Sequence, residues 1–288
     1  MFIQYMVFFL ALIFTIPSYV VADELKVGVL ALRGLHQSHK HWHFIDEHLE
    51  KETGHTVKLI HFPPDLLMSP SILSSVDFML ANPVVSLTVQ ENHGFLYLAT
   101  LNRAKTGTQF GGVIVTHKNS HITSIDDLKG KKVRYFRKNS AGAFIFQAYH
   151  LIENGFELDK DFTSFKSAWN QDRVLSAVAK GRIDAGFVRT GMIESMVREN
   201  KIKREDIVVL DEKISSFPYV HSTTLYPEWA FNASPKVDKY VAKTIKLALL
   251  KVKPSQGKKS KVKGFVEPVS MDKLKLALQA LKMPPYDK

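Results

Sequence analysis

The sequence predicts an α/β architecture in two lobes, and two observations carry that reading. Short apolar runs that suit buried strands alternate with amphipathic helical stretches in the order βαβαβ, which argues for mainly parallel sheets. The chain has 288 residues, enough for two lobes of about 100 residues each around real cores. Short crossings near "GGVIVTH" and "SSFPYVHST" would take the chain out of the first lobe and back. That gives lobe 1 as residues 23–112 plus 216–288 and lobe 2 as 113–215, after a leader of residues 1–22.

Taken in order, "LKVGVLAL" reads as a buried strand and "HWHFIDEHLEKETG" as a helix ended by Gly54. "VKLIHF", "DFMLAN", "FLYLATL" and "GGVIVTH" follow as strands. "KKVRYF" leads into the helix "AGAFIFQAYHLIENG", where Ala141, Ile145, Ala148 and Ile152 share a face. "QDRVLSAVAKG" feeds the strand "RIDAGFV", then come the helix "GMIESMVREN" and the strand "DIVVL". Ser234-Pro235 reads as an N-cap with proline at the first helical position, ahead of a stripe of Val237, Val241, Ile245 and Ala248. "MDKLKLALQALK" is a last amphipathic helix. There are no internal repeats.

The first 22 residues carry no charged side chain; "MVFFLALIFTI" is an apolar core, and Val20-Val21-Ala22 offers a small-residue cleavage site. This reads as a secretory signal peptide cleaved after Ala22, with an uncleaved anchor as the alternative. Zero cysteines exclude disulfides, thiolate metal sites and cysteine nucleophiles, and suit an oxidising compartment. The formal net charge of +11 favours anionic partners.

Ligands of open α/β sheets bind beyond the carboxyl ends of strands, beside helix starts. "ALRGL" puts Arg33 and Gly34 there after the first strand. "KNSAGAF" offers Asn139 or Ser140 as a cap, with backbone N–H groups at Ala141 and Gly142 aimed at an anion, and Gly142 letting a ligand approach the backbone. "DAGFVRTG" ends a strand on Arg189 and Thr190, and a guanidinium grips an oxyanion through two parallel hydrogen bonds. Each has a plainer reading: a surface arginine, a structural cap, or an arginine paired with a structural carboxylate.

"DAGFVRTGMIESM", "STTLYPEWAF", "GTQFGGVIV" with "LKGKKV", "DFMLANP" and the closing "LKMPPY" resemble the phosphate/phosphonate-binding family of periplasmic solute-binding proteins. The resemblance is strongest to the branch that also supplies the periplasmic sensor domains of tetrathionate-type sensor histidine kinases, and it covers residues 25 to 286. It implies a type II periplasmic-binding fold, two α/β lobes closing on a small anion in the cleft between them. By position it implies ligand contacts at the helix start Asn139–Gly142, in the "DFMLANP" loop at Asn82 and at Ser86 (where relatives carry a tyrosine), and at Asn170 with Gln171. Arg189 stands where aminophosphonate binders place an acidic residue, which implies a ligand of greater negative charge. In sensor kinases of the branch a segment like "LKMPPY" leads into a membrane helix; here the chain stops two residues later, as a free-standing module would.

"HQSHKHWH" places four histidines in eight residues, in a loop and helix start after the first strand. Histidines 39, 41 and 43 would share a face only if extended, and zinc wants four converging ligands. "HFIDEH" misses the inverted zincin spacing by one residue, and His43 and His48 would stand about 140° apart on a helix. No nucleophile elbow, P-loop or dinucleotide fingerprint is present, so neither an enzyme nor a cofactor is expected. "KVKPSQGKKSKVKG" reads as a solvated loop, or else a docking patch for an acidic partner. The expectation is a periplasmic solute-binding protein that captures a small oxyanion for an ABC permease. The alternatives are a ligand-sensing partner of a membrane sensor kinase and a zinc carrier using the histidine tract. A monomer with no nucleic-acid partner is expected in each case.

Overall fold

The computed structural model describes residues 24–31, 34–64 and 66–287. The expected signal peptide and Arg33 lie outside them. β1 (Leu25–Leu30) is buried at every position but Lys26, the pattern of a strand covered on both faces. Helices α1 (Leu35–Trp42) and α2 (Phe44–Thr53) lead to β2 (Val57–Phe62), α3 (Pro70–Ser75), β3 (Phe78–Ala81), α4 (Pro83–His93) and β4 (Leu96–Arg103). After the short strand β5 (Gln109–Phe110) come β6 (Gly112–His117), β7 (Lys132–Tyr135), α5 (Phe146–Glu153), β8 (Ser164–Ser167), α6 (Gln171–Ala179), β9 (Ala185–Arg189), α7 (Met192–Arg198) and β10 (Ile207–Leu210). The chain returns through β11 (Tyr226–Pro227) and finishes with β12 (Ala230–Ala233), α8 (Lys239–Leu250), β13 (Val262–Val266) and α9 (Asp272–Ala280).

Two sheets result. One has the order β13-β4-β12-β3-β1-β2 and the other β10-β6-β9-β7-β8, while β5 and β11 form a small ribbon between them. The sheets are mixed rather than mainly parallel. β1 runs parallel to β2 and β3, and β7 to β8 and β9, but β12 lies antiparallel between β3 and β4, and β6 lies antiparallel to β9 and β10. β6 and β12 each follow a crossing directly, so each enters its sheet from the end where its neighbours stop and must run against them.

Val27, Val29, Phe78, Leu80, Ile45 and Leu49 anchor one core; Phe187, Ile145, Phe146 and Leu151 anchor another on the second sheet. α9 brings Leu274, Ala277 and Leu278 into that second core and touches both α4 and α5, so it straps the two sheets together. The helix expected at Ser234-Pro235 begins later: Asp238 caps α8, its carboxylate accepting the Tyr240 and Val241 N–H groups at 2.7 and 3.3 Å. Ser234 instead closes a turn onto the Val237 N–H. An acidic cap also complements the helix dipole, which serine does not.

Candidate functional site at the lobe 2 rim

α5 is preceded by a wide π-turn, Ala141–Ile145, in which the Phe146 N–H reaches back to the Ala141 carbonyl. The cause is Gln147. Its fully buried amide nitrogen donates to the carbonyls of Gly142 at 2.9 Å, Val188 at 2.8 Å and Val113 at 3.3 Å. With the Gly142 carbonyl taken by a side chain, the backbone closes its turn one residue wider. Gln147 thereby nails the helix start to β6 and β9. Ser140 precedes the turn in extended conformation, and its hydroxyl makes no cap bond.

Gly142 is packed closely on its Cβ side. A Cβ there would lie 2.8 Å from the Phe110 ring and 2.9 Å from Arg189 Cβ. The glycine makes room for those two neighbours. It also brings the helix start directly against Arg189, the last residue of β9. The Arg189 N–H donates to Gln171 Oε1 at 2.9 Å. Gln171 opens α6, whose cap Asn170 accepts the Arg173 N–H at 2.8 Å. Three segments far apart in sequence thus meet on one rim: Ser140–Gly142, Asn170–Gln171 and Arg189.

Thr190 is 4% exposed, and its hydroxyl oxygen accepts the Gly111 N–H at 3.2 Å while its own N–H donates to the Gly111 carbonyl. Gly112 is held from the returning crossing: its N–H donates to Thr223 Oγ1 at 3.0 Å and its carbonyl accepts from Ser222 N–H. Ser222 Oγ accepts the Ile114 N–H and donates to the Leu210 carbonyl. Thr190 therefore ties the rim to the crossings between the lobes.

On lobe 1, Gly34 is exposed and starts α1 at φ 90°, a conformation that favours glycine. Asn82 caps α4, accepting the Val84 and Val85 N–H groups at 3.0 and 3.1 Å. Ser86 is fully buried; its hydroxyl accepts from Asn232 Nδ2 at 3.0 Å and donates to the Ala81 carbonyl, and Asn232 Oδ1 accepts from Gln90. Asn82 and Ser86 fix the start of α4 on β3 and β12 from inside.

Trp169, beside the Asn170 cap, is 82% exposed, whereas the other two tryptophans, Trp42 and Trp229, are buried. Sequence reasoning passed over it because a lone tryptophan in a strand-to-helix loop reads as core. Gln147 was also missed, although a single amide in the apolar run "AGAFIFQA" is a signal: a buried amide needs partners.

The loop expected at the start of the histidine tract is also helical, because α1 begins at Leu35. His39 and His43, one turn apart, stack with centroids 5.4 Å apart, and His43 pairs with Asp46 and Glu47 at 3.1 Å each. His48 is a satisfied core histidine between the Ala248 carbonyl and Gln256 Nε2. Among the described residues no group of three or more His, Asp or Glu side chains is arranged to hold a metal ion.

With this geometry the family is decided by a match of residues 28–277 to the model described as "ABC transporter, phosphonate, periplasmic substrate-binding protein". The chain belongs to that family. Its fold is the type II periplasmic-binding fold. PhnD1 from Prochlorococcus marinus, solved with methylphosphonate, is 17% identical with a TM-score of 0.68, covering 90% of this chain and 98% of its own. XAC2383 from Xanthomonas citri, solved with ATP, is 16% identical with a TM-score of 0.70, covering 91% and 98%. The tetrathionate sensor histidine kinase TtrS of Salmonella typhimurium is 25% identical over 233 residues, 79% of this chain. The chain spans 39% of the length of that kinase. Among the described residues, no helix of this family member is long and apolar enough to cross a membrane.

Proposed function

We propose that this protein is an exported solute-binding protein that captures a small oxyanion, of the phosphate/phosphonate or sulfur-oxyanion class, and presents it to an ABC permease. The observation that carries the reading is the rim itself, where Arg189 Cβ packs against Gly142 at the start of the 141–153 helical run. An arginine rooted beside a helix start brings two anion-binding chemistries together. The contacts are Arg189, Ser140, the backbone of Ala141 and Gly142, and Asn170 from lobe 2, with Arg33 and Gly34 from lobe 1. Thr190 ties Arg189 to Gly111, and Asn82 and Ser86 set the start of α4 on lobe 1. Lobes of residues 23–112 plus 216–288 and 113–215 close by bending where Gly111–Gly112 meets Ser222–Thr223. The anion leaves chemically unchanged, since binding and release are the whole cycle. A signal peptide at residues 1–22 delivers the monomer to the periplasm.

A second fate is favoured by the 25% identity to a tetrathionate sensor kinase over 79% of the chain. In that reading the closed form signals to a membrane sensor kinase, and tetrathionate or a related sulfur oxyanion is the ligand. A thermal-shift panel of phosphate, phosphite, methylphosphonate, 2-aminoethylphosphonate, sulfate, thiosulfate and tetrathionate, with zinc as a further arm, tests both. A ligand at about 100 times its Kd adds roughly 2.7 kcal/mol and raises Tm by about 5–10 °C. A shift from any of these oxyanions supports capture of a small oxyanion, and tetrathionate giving the largest favours the sensing fate. Zinc alone giving it would refute both.

A further inference from the structure

The two segments that the cleft leaves unexplained, the histidine tract and the lysine-rich stretch, are one surface. Lys251 to Lys263 holds six lysines and no acidic residue, more than half of the formal +11. The stretch is not a loose loop. Lys253 and Gln256 bond reciprocally, with the Lys253 N–H to Gln256 Oε1 at 2.7 Å and the Gln256 N–H to the Lys253 carbonyl at 3.0 Å. The Gly257 carbonyl accepts from both Ser260 and Val262, and a side chain at Gly257 would run into the Val262 carbonyl. The turn is anchored to the histidine tract by Ser260 Oγ, which donates to the His41 carbonyl, and to α2 by Gln256 Nε2, which donates to His48 Nδ1.

All six lysines are exposed. Lys251 pairs with Glu52 at 3.2 Å, and among the described residues the other five make no side-chain ion pair. Next to them α1 exposes His36, His39 and Lys40, again with no acid between Leu35 and His43. The result is a cationic face held in a fixed shape by backbone and side-chain bonds.

We propose that this face of lobe 1 docks on an anionic phospholipid bilayer. The choice of bilayer over an acidic protein follows from the residue types. Protein interfaces concentrate energy in exposed tryptophan, tyrosine and arginine. Neither segment contains an arginine or a tyrosine, and Trp42 is buried. Lysine is a point charge without the guanidinium's directional fork, and a diffuse field of headgroups asks for nothing more.

The test is co-sedimentation of the full chain with vesicles of phosphatidylcholine alone and of phosphatidylcholine with ~30% phosphatidylglycerol. The phosphatidylcholine arm reads whatever residues 1–22 contribute. Three exposed lysines of the turn are replaced in one variant, K258A/K259A/K261A. The charge-matched control replaces three exposed lysines of lobe 2, K166A/K180A/K203A. The expected result is stronger binding to the phosphatidylglycerol vesicles, weakened at least about tenfold in the turn variant, nearly intact in the control, and lost on raising salt from about 50 to 300 mM. Equal loss in both variants would reduce the effect to net charge and overturn the proposal. Absence of binding to phosphatidylglycerol vesicles would overturn it too, and would point to an acidic protein as the occupant of this face.

Discussion

Gly112 leaves empty the space that the Gln147 carboxamide fills: a Cβ at Gly112 would stand 2.5 Å from Gln147 Cδ and 2.7 Å from its Nε2. Gly112 opens β6 just after the crossing from the first sheet, and Gln147 carries the bonds that set the start of α5. Gly112 and the 141–145 turn are therefore coupled through one buried amide, so a change in either is felt by the other.

Gly112→Ala is accordingly expected to destabilise the protein by about 3 kcal/mol or more, since Gln147 cannot retreat without abandoning three carbonyls. Combining it with Gln147→Ala should cost less than the two single losses added together, because the truncation removes the clash. Urea denaturation midpoints of the four proteins measure this coupling. Strict additivity would mean that the two residues do not meet.

Thr190→Val removes the acceptor for the Gly111 N–H while keeping the shape. A loss of about 1–3 kcal/mol is expected, because a buried donor is left without its partner. Thr190→Ser should keep most of the stability. Thermal unfolding of the two variants separates the hydroxyl from the methyl.

Trp169 is a built-in reporter. In the unliganded protein its emission should be accessible to acrylamide, and if the lobes close over the rim, ligand should shift the emission to the blue and protect it. Trp42 and Trp229 are already buried, so Trp169→Phe should abolish the ligand-dependent change. A change that survives in that variant would place the moving surface elsewhere.

The stability of lobe 1 should depend on His61. Burial, aided by the neighbouring His39, lowers its pKa from 6.5 to about 4. The folded state therefore favours the neutral ring, so the contribution is fully present above pH 6.5 and is lost as pH falls through the window toward 4. The shift corresponds to roughly 1–2 kcal/mol once discounted for the ring's partial exposure. Comparing urea midpoints at about pH 7.5 and 4.5, wild type should lose more stability than His61→Gln by that amount. An equal loss in the two proteins would show that His61 is not the responsible group.

The strands of both lobes were legible because runs such as "DFMLAN" and "DAGFV" are apolar without interruption, as covered strands must be. Their direction was not legible: whether β12 runs with or against β3 depends on where the crossing delivers the chain, which no local pattern records. The start of α8 was misread because Ser234-Pro235 and Asp238 are both chemically sound caps, and tertiary position chose between them. The helix starts earlier in the histidine tract than the sequence suggests because α1 is held by buried Trp42 and Ser38 rather than by an apolar stripe of ordinary width. At the site, Arg189 and the helix start were visible as residue types at strand and helix ends. That they touch was not, because Gly142, Phe110 and Arg189 are brought together only by the fold.

The most direct measurement is a calorimetric titration of wild type, Arg189→Ala and Arg189→Lys with whichever oxyanion raises Tm most. Capture at the lobe 2 rim predicts that Arg189→Ala weakens binding by about 100-fold or more, with Arg189→Lys recovering part of it through charge without the bidentate fork. Unchanged affinity in Arg189→Ala, in a variant that keeps its fold, would contradict the account and place the anion elsewhere.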